Sequence, residues 1–240
     1  MRQLLPSPAE DLSDDDLLAA YATPPEHLRV NFVSSADGAV TLKGVSGGLS
    51  GPADKRVFQL QRDLADVVLV AAGTIRNERY GYPHVSAERR SRRRDAGRAE
   101  LPTFAIVSRS LNLDLSSSLF TDPPVRTVVF AAAGAAADRR AALERVADVV
   151  TTDGLAGTVA ALRQRGLGRI LCEGGPSLFA GLAGAGLLDE LCLTLSPLLA
   201  GPGPGRIEAG PEHGPVPLRL TALLEEDGAL FHRFAVVRGD

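Results

Sequence analysis

Two glycines follow an apolar run at Glu173-Gly174-Gly175-Pro176, and this segment carries the strongest chemical signal in the sequence. The run at residues 170–172 predicts a buried strand, and Pro176 is typical of the first residue of a helix. Glycines let the backbone approach a ligand closely, and a helix start offers free N–H groups and a positive dipole end. We expect an anion here, such as a nucleotide pyrophosphate, although an ordinary strand-to-helix turn would use the same residues.

Two further turns carry polar side chains after predicted strands. Thr74 and Glu78 follow the β-branched run at residues 66–72, and Asp37 follows a short strand that begins at Leu28. Ligands bind to open α/β sheets at the carboxyl ends of parallel strands. Each turn also has a structural interpretation, since a threonine caps helices and an aspartate before glycine stabilises its own turn.

Several other chemistries lack their motifs. No Gly-x-Gly-x-x-Gly follows the first strand, and no Gly-x-x-x-x-Gly-Lys-Ser/Thr loop is present. The four histidines lack metal-ligand spacing, and neither a zinc-deaminase signature nor a Gly-x-Ser-x-Gly elbow occurs. A bound metal is therefore not expected.

Strand-like runs alternate with alanine-rich helical segments, which predicts an α/β domain with a mostly parallel central sheet. Asp227-Gly228 separates two final strand-like runs and predicts an antiparallel C-terminal hairpin. Ser13 before three aspartates predicts a short helix inside an N-terminal extension, residues 1–27. Residues 28–240 then form one domain, with a long loop at residues 201–217.

Composition narrows the class of protein. A hydrophobic content of 45% suits a globular chain, and a net charge of −3 gives no general attraction to nucleic acid or to an anionic membrane. Cys172 and Cys192 lie in apolar runs and are expected to be buried thiols. No signal-peptide or membrane-spanning pattern is present, so the expected compartment is the cytoplasm.

Six arginines lie within residues 88–98. The run could grip phosphate or nucleic acid, but without interleaved aromatic residues a solvated loop is the favoured interpretation.

Taken in order, these turns resemble one family. Ser35-Ala36-Asp37-Gly38, Gly73-Thr74-Ile75 with Glu78, Glu173-Gly174-Gly175-Pro176, and Leu188-Asp189-Glu190-Leu191 before Ser196-Pro197 are similar to the reductase domain of bifunctional riboflavin-pathway deaminase–reductases. The resemblance covers roughly residues 28–237. It implies a dihydrofolate-reductase-like three-layer α/β/α fold, NADPH as hydride donor, and a homodimer. The implied reaction is that of a 5-amino-6-(5-phosphoribosylamino)uracil reductase, in which hydride reaches C1 of the opened ribosylamine imine.

The resemblance also implies roles for single residues. The implied NADPH contacts are Thr74, Glu78, Ser108 near the adenosine, and the pyrophosphate-binding Gly174, Gly175, Pro176, Ser177 and Leu178. The implied substrate contacts are Ser46, Arg62 and Glu173. We add Arg109 as a partner of the 2′-phosphate, because guanidinium pairs well with phosphate. Asp37 is the candidate that polarises or protonates the imine nitrogen, with the role of a turn aspartate as the alternative.

Four positions depart from the family pattern, the first being Glu78, where an aspartate is usual. Asn31 stands where a lysine is usual, Tyr80 where a proline is usual, and Val85 where an arginine for the substrate phosphate is usual. The arginines of residues 89–98 could replace that arginine. The alternatives to the riboflavin-pathway reaction are a paralogue that reduces a pteridine, a non-catalytic NADPH-binding protein and, least favoured, an RNA-binding module.

Overall fold

Runs of aliphatic and β-branched residues form the strands of the protein, and alanine- and leucine-rich segments form most of its helices. The computed structural model describes residues 1–78, 80–82, 84–203 and 205–238. The strands are β1 Arg2–Leu5, β2 His27–Ser35, β3 Val67–Ala71, β4 Thr103–Ser108, β5 Val128–Ala131, β6 Asp148–Thr151, β7 Arg169–Cys172, β8 Glu190–Ser196, β9 Leu218–Glu226 and β10 Ala229–Val236. The helices are α1 Asp14–Ala20, α2 Pro52–Leu64, α3 Ala72–Asn77, α4 Ala87–Asp95, α5 Ser118–Thr121, α6 Ala137–Glu144, α7 Gly154–Gln164 and α8 Pro176–Gly184.

The strands form one sheet in the order β1-β9-β10-β8-β2-β7-β3-β4-β5-β6. Neighbours from β8 through β6 are parallel, whereas β10, β9 and β1 run antiparallel to their neighbours. Asp227 and Gly228 both have positive φ in the β9–β10 turn, as two-residue hairpins require. The expected dihydrofolate-reductase-like α/β fold, with a mixed, mostly parallel sheet and a C-terminal antiparallel hairpin, is confirmed.

Apolar side chains of the strands pack against helices in three clusters. Helices α7 and α8 pack against the first cluster, which includes Val30, Leu69 and Ile170. Helices α1 and α2 contribute to the second, which includes Leu224 and Phe231. The third surrounds β3, β4 and β5, with contributions from α3, α5 and α6. Packing against the helices therefore stabilises the sheet and positions its carboxyl edge, the edge at which the parallel strands end.

The arginine-rich run was expected as a solvated loop, and this prediction is wrong for most of its length, because residues 87–95 form helix α4. The side chain of Ser86 caps the helix by accepting a hydrogen bond from the N–H of Arg89. The Arg89 guanidinium binds the buried carboxylate of Asp63 at 2.6 Å. Arg93 is 1% exposed and donates to backbone carbonyl groups of α2 and of the residue after it. Contacts with α2 therefore stabilise a helix that its composition alone would not.

The N-terminal residues are joined to the sheet. Strand β1 pairs with β9 and forms one edge of the sheet. Ser13 caps α1 in a capping box with Asp16, which confirms the predicted short helix. Leu17 and Tyr21 are buried between α2 and the sheet. The segment expected as an extension thus contributes to the core.

Candidate active site

The turns singled out in the sequence meet at the carboxyl edge of the sheet. Strands β2, β7, β3 and β4 are parallel neighbours, so the segments that follow them emerge side by side. The N–H of Ala71, at the end of β3, donates to the carbonyl of Gly174 at 2.8 Å, and the N–H of Glu173 donates to the carbonyl of Leu69 at 3.0 Å. The turns after β3 and β7 are therefore held together by backbone hydrogen bonds.

Close contacts require glycine at both positions of the turn after β7. A Cβ on Gly174 would lie 2.7 Å from the ring of Phe32 in β2, and the φ of Gly174 is +84°. A Cβ on Gly175 would lie 2.8 Å from Oγ1 of Thr74. The Gly174–Gly175 peptide bond is cis. The threonine hydroxyl and the glycine backbone, predicted from separate motifs, thus lie so close together that no side chain fits between them at residue 175.

Helix α8 begins directly after these glycines. Pro176 is in the first turn, and within the described residues no side chain caps this helix start. The N–H groups of Leu178 and Phe179 already donate to the carbonyl of Gly175, and Ser177 is exposed. The positive dipole end of α8 is thus accessible at Ser177, and it suits an anionic group.

Glu173 lies beneath this turn in a buried hydrogen-bonded cluster. Arg62 donates from Nε to Oε1 at 2.6 Å and from Nη2 to Oε2 at 2.7 Å, and the Tyr80 hydroxyl donates to Oε2 at 2.7 Å. The Arg62 guanidinium also lies 4.3 Å from the ring centre of Phe58. Burial, followed by the nearby charge of Glu173, raises the pKa of Tyr80 well above its ordinary value.

Arg62 and Glu173, both expected to face the substrate, therefore bind each other, with side chains only 9% and 2% exposed. Sequence reasoning missed Tyr80 as their partner. The one feature of the sequence that pointed to Tyr80 was that it stands where the family usually has a proline.

The carboxylate of Glu78 connects the turn after β3 to the loop that precedes α2. Glu78 is the C-cap of α3, and its Oε1 accepts a hydrogen bond from the N–H of Ser46 at 2.9 Å. Ser46 begins a single 3-10 turn that ends at Gly48. Glu78, expected to contact the cofactor, and Ser46, expected to contact the substrate, are thus joined by a hydrogen bond.

Three arginines surround the turn after β4. Ser108 is buried, and its hydroxyl accepts from the N–H of Leu111, so it caps the turn. Arg76 of α3 and Arg139 of α6 donate to the carbonyl groups of Asn112 and Ser110 at 2.9 and 3.0 Å. Arg109 is exposed in the same turn. None of these three guanidinium groups forms an ion pair within the described part of the chain, so three positive charges without an ion-pair partner lie around the turn.

The carboxylate of Asp37 organises the end of β2. It accepts hydrogen bonds from the Ser35 hydroxyl and from the N–H groups of Ala200 and Gly201 at 3.2 and 2.9 Å. The bond from Ser35, and after it those from the two backbone groups, lower the pKa of Asp37. An aspartate held ionised in this way favours the turn role over that of a proton donor at neutral pH.

The residues that depart from the family pattern have internal partners. Asn31 accepts a hydrogen bond from Gln61, and Val85 is buried. In the arginine-rich run, Arg89 binds Asp63 while Arg93 binds backbone carbonyl groups. Arg89 and Arg93 are therefore engaged in packing α4 against α2, so these two do not support the interpretation that the run replaces the usual phosphate-binding arginine.

No cluster of side chains suitable for holding a metal ion occurs among the described residues. Of the helices described, none combines the length and apolar character needed to cross a membrane.

Comparison with known proteins agrees with this architecture. The family model described as the RibD C-terminal domain matches residues 26–225. A 2,5-diamino-6-ribosylamino-4(3H)-pyrimidinone 5′-phosphate reductase from Archaeoglobus fulgidus is 25% identical over 177 residues, which cover 72% of this chain and 80% of the relative.

Two solved structures are also similar. A pyrimidine reductase-like protein from Corynebacterium diphtheriae superposes with a TM-score of 0.85 at 28% identity, covering 95% of this chain and 100% of that one. The riboflavin biosynthesis reductase Rib7 of Saccharomyces cerevisiae superposes with a TM-score of 0.67 at 13% identity, covering 92% of this chain and 97% of that one, and shows the shared fold alone.

Proposed function

Since the chain belongs to the riboflavin-biosynthesis pyrimidine reductase family, that of the RibD C-terminal domain, we propose that it reduces a ribosylamino-pyrimidine 5′-phosphate to the ribitylamino compound with NADPH. The observation that carries this proposal is the close approach of the Thr74 hydroxyl to Gly175 at the start of α8. Thr74 and residues 174–178 form what we call the cofactor cradle. A side chain at residue 175 would fill it, so glycine there allows a pyrophosphate to approach the backbone.

The residues of the cradle divide the work of binding. NADPH, when bound, supplies the hydride. In the proposed site the turn at residues 174–178 holds the pyrophosphate, and the Thr74 hydroxyl donates to it from the opposite side. Glu78 keeps the loop at Ser46 closed over the site through its hydrogen bond to the backbone. Orientation and exclusion of water are then the protein's main contributions to the reaction.

The positive turn after β4 supports NADPH over NADH. The 2′-phosphate is the group that distinguishes the two cofactors, and guanidinium groups bind phosphate with charge-assisted hydrogen bonds. Arg109 is the proposed direct partner. Arg76 and Arg139 hold the backbone of the same turn and add positive charge beside it.

The substrate half of the site rests on three further residues. Ser46 lies in the loop joined to Glu78, and we propose that its hydroxyl contacts the substrate. Arg62 and Glu173 act as a buried pair that supports the floor of the site. For Asp37 we propose the turn role, in which the carboxylate fixes the chain at Ala200 and Gly201.

A homodimer in the cytoplasm is the proposed state of the enzyme. Strands β9 and β10 expose apolar side chains that the described chain leaves partly uncovered, among them Leu218 at 41% and Leu220 at 37% exposure. Such a patch on a sheet face supports association with a second copy. The apolar stretch from Leu191 to Leu199 is a second candidate for the interface, with Leu191 only 5% exposed in the core but Leu199 78% exposed.

Calorimetric titration with NADPH and with NADH, followed by absorbance assays with the ribosylamino-pyrimidine phosphate, tests the function. Tighter binding of NADPH together with its oxidation is the expected result. Binding without turnover would direct the search to a pteridine substrate or to a non-catalytic role, and no binding of either nucleotide would reject the reductase function.

A further inference from the structure

Part of the loop between β8 and β9, residues 205–217, lies along one face of α8, and we call this segment the strap. The N–H of Ala209 donates to the carbonyl of Pro176, the first residue of α8, at 3.3 Å. One turn further along the helix, a Cβ on Gly210 would lie 2.9 Å from Cβ of Ala180. The strap therefore contacts α8 closely, beginning at the residue with which the helix starts.

His213 makes the contact at the other end of the helix. A Cβ on Gly184, the last residue of α8, would lie 3.3 Å from the ring of His213. Pro176, Ala180 and Gly184 are four residues apart, so all three lie on the face of α8 that the strap covers. The last turn of α8 contains no basic residue. A positive charge on the His213 ring would thus lie at the negative dipole end of the helix, where it is stabilising.

Both nitrogens of the His213 ring face hydrogen-bond acceptors. Nδ1 lies 2.8 Å from the carbonyl oxygen of Gly214, and Nε2 is bonded to the carboxylate of Glu208. A neutral imidazole has one N–H and an imidazolium has two, so only the protonated ring donates to both acceptors. The hydrogen bond to Gly214, followed by that to Glu208, raises the pKa of His213 above its ordinary value.

Glu208 is the charged group that faces His213. Helix α8 has no acidic, basic or histidine side chain between Pro176 and Gly184. The other charged residues of the strap, Arg206 and Glu212, are exposed and form no ion pair with the residues that the structure describes. The charge of the ring therefore depends on this one carboxylate and on the pH.

We propose that His213 and Glu208 form a pH-sensitive clamp, which holds the strap against α8 when His213 is protonated and releases it when the ring is neutral. Loss of the proton removes the ion pair, the charge at the helix end and one of the two hydrogen bonds of the ring. Because the pKa is higher in the folded state, the stabilisation is complete below pH 6.5, the ordinary pKa, and is lost as the pH rises through the folded value.

The clamp would also regulate the cofactor cradle, a consequence that rests on the proposed function. The bond from Ala209 to Pro176 joins the strap to the first turn of α8, where the cradle ends. If release of the strap leaves this turn less ordered, a smaller fraction of molecules is ready to bind, and the apparent Kd rises in proportion. NADPH should then bind more weakly as the pH rises.

The test compares the wild-type protein with His213→Gln, Glu208→Gln and, as the matched control, His84→Gln. His84 is also exposed but lies between α3 and α4. The ring resonances of the histidines are titrated by NMR without any nucleotide. Hydrogen exchange of α8 and the strap is measured in the same samples below and above the midpoint for His213. Exchange is expressed as protection factors, which removes the effect of pH on the intrinsic exchange rate.

The ring of His213 should titrate above pH 6.5 in the wild type, and its midpoint should fall in Glu208→Gln. Protection of the Ala209 N–H and of α8 should drop by about two- to fivefold above the midpoint in the wild type and in His84→Gln, the scale expected for a charge at a helix end. In His213→Gln the protection should be low at both pH values.

Two results would overturn the clamp: equal protection of the wild type on both sides of the midpoint, or a His213 titration that Glu208→Gln leaves unchanged. Calorimetry with NADPH across the same range tests the consequence for the cradle. The affinity should fall more steeply with pH in the wild type than in His213→Gln, since ionisation of the nucleotide itself affects both proteins equally.

The clamp and the proposed function fail in different ways. Parallel pH profiles of NADPH affinity, in a wild-type protein whose strap does open, would reject control of the cradle by the clamp. No binding of NADPH to any of the proteins would reject the proposed function, whereas the NMR and exchange data, recorded without nucleotide, would still decide the clamp.

Discussion

The hydroxyl of Tyr80 lies 2.7 Å from Oε2 of Glu173, whose other contacts are the two hydrogen bonds from Arg62. This bond joins the segment after α3 to the residue that precedes the glycine turn. Two loops that are far apart in sequence thereby share one buried carboxylate, and we expect this hydrogen bond to stabilise the turn at Gly174 and Gly175.

Removing this hydroxyl tests that dependence. Tyr80→Phe should lower the free energy of unfolding by about 2 kcal/mol, as expected for a hydrogen bond to a charged group. Tyr82→Phe is the matched control, since its hydroxyl donates to the neutral carbonyl of Pro102 and should cost about 1 kcal/mol. Urea unfolding of both variants measures the difference, and a smaller loss in Tyr80→Phe would contradict the prediction.

A side chain at residue 175 should obstruct the cofactor. Gly175→Val places a Cβ 2.8 Å from Oγ1 of Thr74, so the variant should bind NADPH at least about tenfold more weakly. Gly214→Val is the control, because a Cβ at Gly214 meets no atom within 4 Å. Titration calorimetry measures the affinity of variants whose circular dichroism spectra show that they are folded. Unchanged affinity in Gly175→Val would contradict the assignment of the pyrophosphate to this turn.

Substitutions at two neighbouring arginines of helix α4 should have very different effects on the free energy of unfolding. Arg93→Met leaves four backbone carbonyl groups without their buried donor and should cost about 3 kcal/mol of stability. Arg94→Gln removes an exposed pair with Glu100 and should cost less than about 1 kcal/mol. Chemical denaturation distinguishes the two, and similar losses would mean that α4 is not held by Arg93.

Acid should destabilise the protein through Glu190. Burial opposes ionisation of this carboxylate, but the hydrogen bond from His27 and the charges of Arg29 and Arg233 outweigh it and lower its pKa from 4.5 to about 2. Because the pKa is lower in the folded state, the stabilisation is complete above pH 4.5 and is lost as the pH falls towards 2.

Unfolding measured across this range should therefore show a steep acid decline in the wild type. Glu190→Gln should cost about 3 kcal/mol at neutral pH, since it breaks a buried ionic cluster, and should flatten the decline. Glu100→Gln, at an exposed pair, should leave the decline unchanged. An equally steep decline in Glu190→Gln would assign the acid sensitivity to another group.

Asp37 can be assigned by its effect on rate. If its carboxylate only holds the turn, Asp37→Asn should lower kcat/KM by less than about tenfold and leave the pH–rate profile in place, whereas loss of a general acid costs about 100-fold or more. Asp122→Asn, at the exposed end of α5, serves as the control. A large loss of kcat/KM in Asp37→Asn, together with a shift in the acidic limb of its pH–rate profile, would instead support Asp37 as the proton donor.

The central strands were predictable because they are buried on both faces and therefore read as continuous apolar runs. Strand β7 contains the run at residues 170–172 that was predicted as a buried strand, and the hairpin turn is at Asp227 and Gly228 as predicted. Strand β1 was missed, since Arg2 pairs with a residue 223 positions away and local sequence carries no sign of it. Helix α4 was missed for a related reason, because its stability comes from contacts with α2.

The candidate site divides in the same way. The glycine turn could be predicted, since a backbone segment that closely approaches its neighbours requires glycine, and glycine is visible in the sequence. The partnership of Glu173 with Arg62 and Tyr80 could not, because it depends on how three separate elements pack. The arginines around the turn after β4 likewise come from different helices.

Both outer strands of the sheet are short. Strand β6 at one edge and β1 at the other have four residues each, and the pairing of β1 is irregular between Gln3 and Leu5. Short, irregular edges are poor templates for the intermolecular pairing that leads to aggregates. Without β1, the nine residues of β9 would become the outer strand, long and rich in leucine. The first residues of the chain thus cover the long edge of β9, and we expect amino-terminal truncation to promote aggregation through that edge.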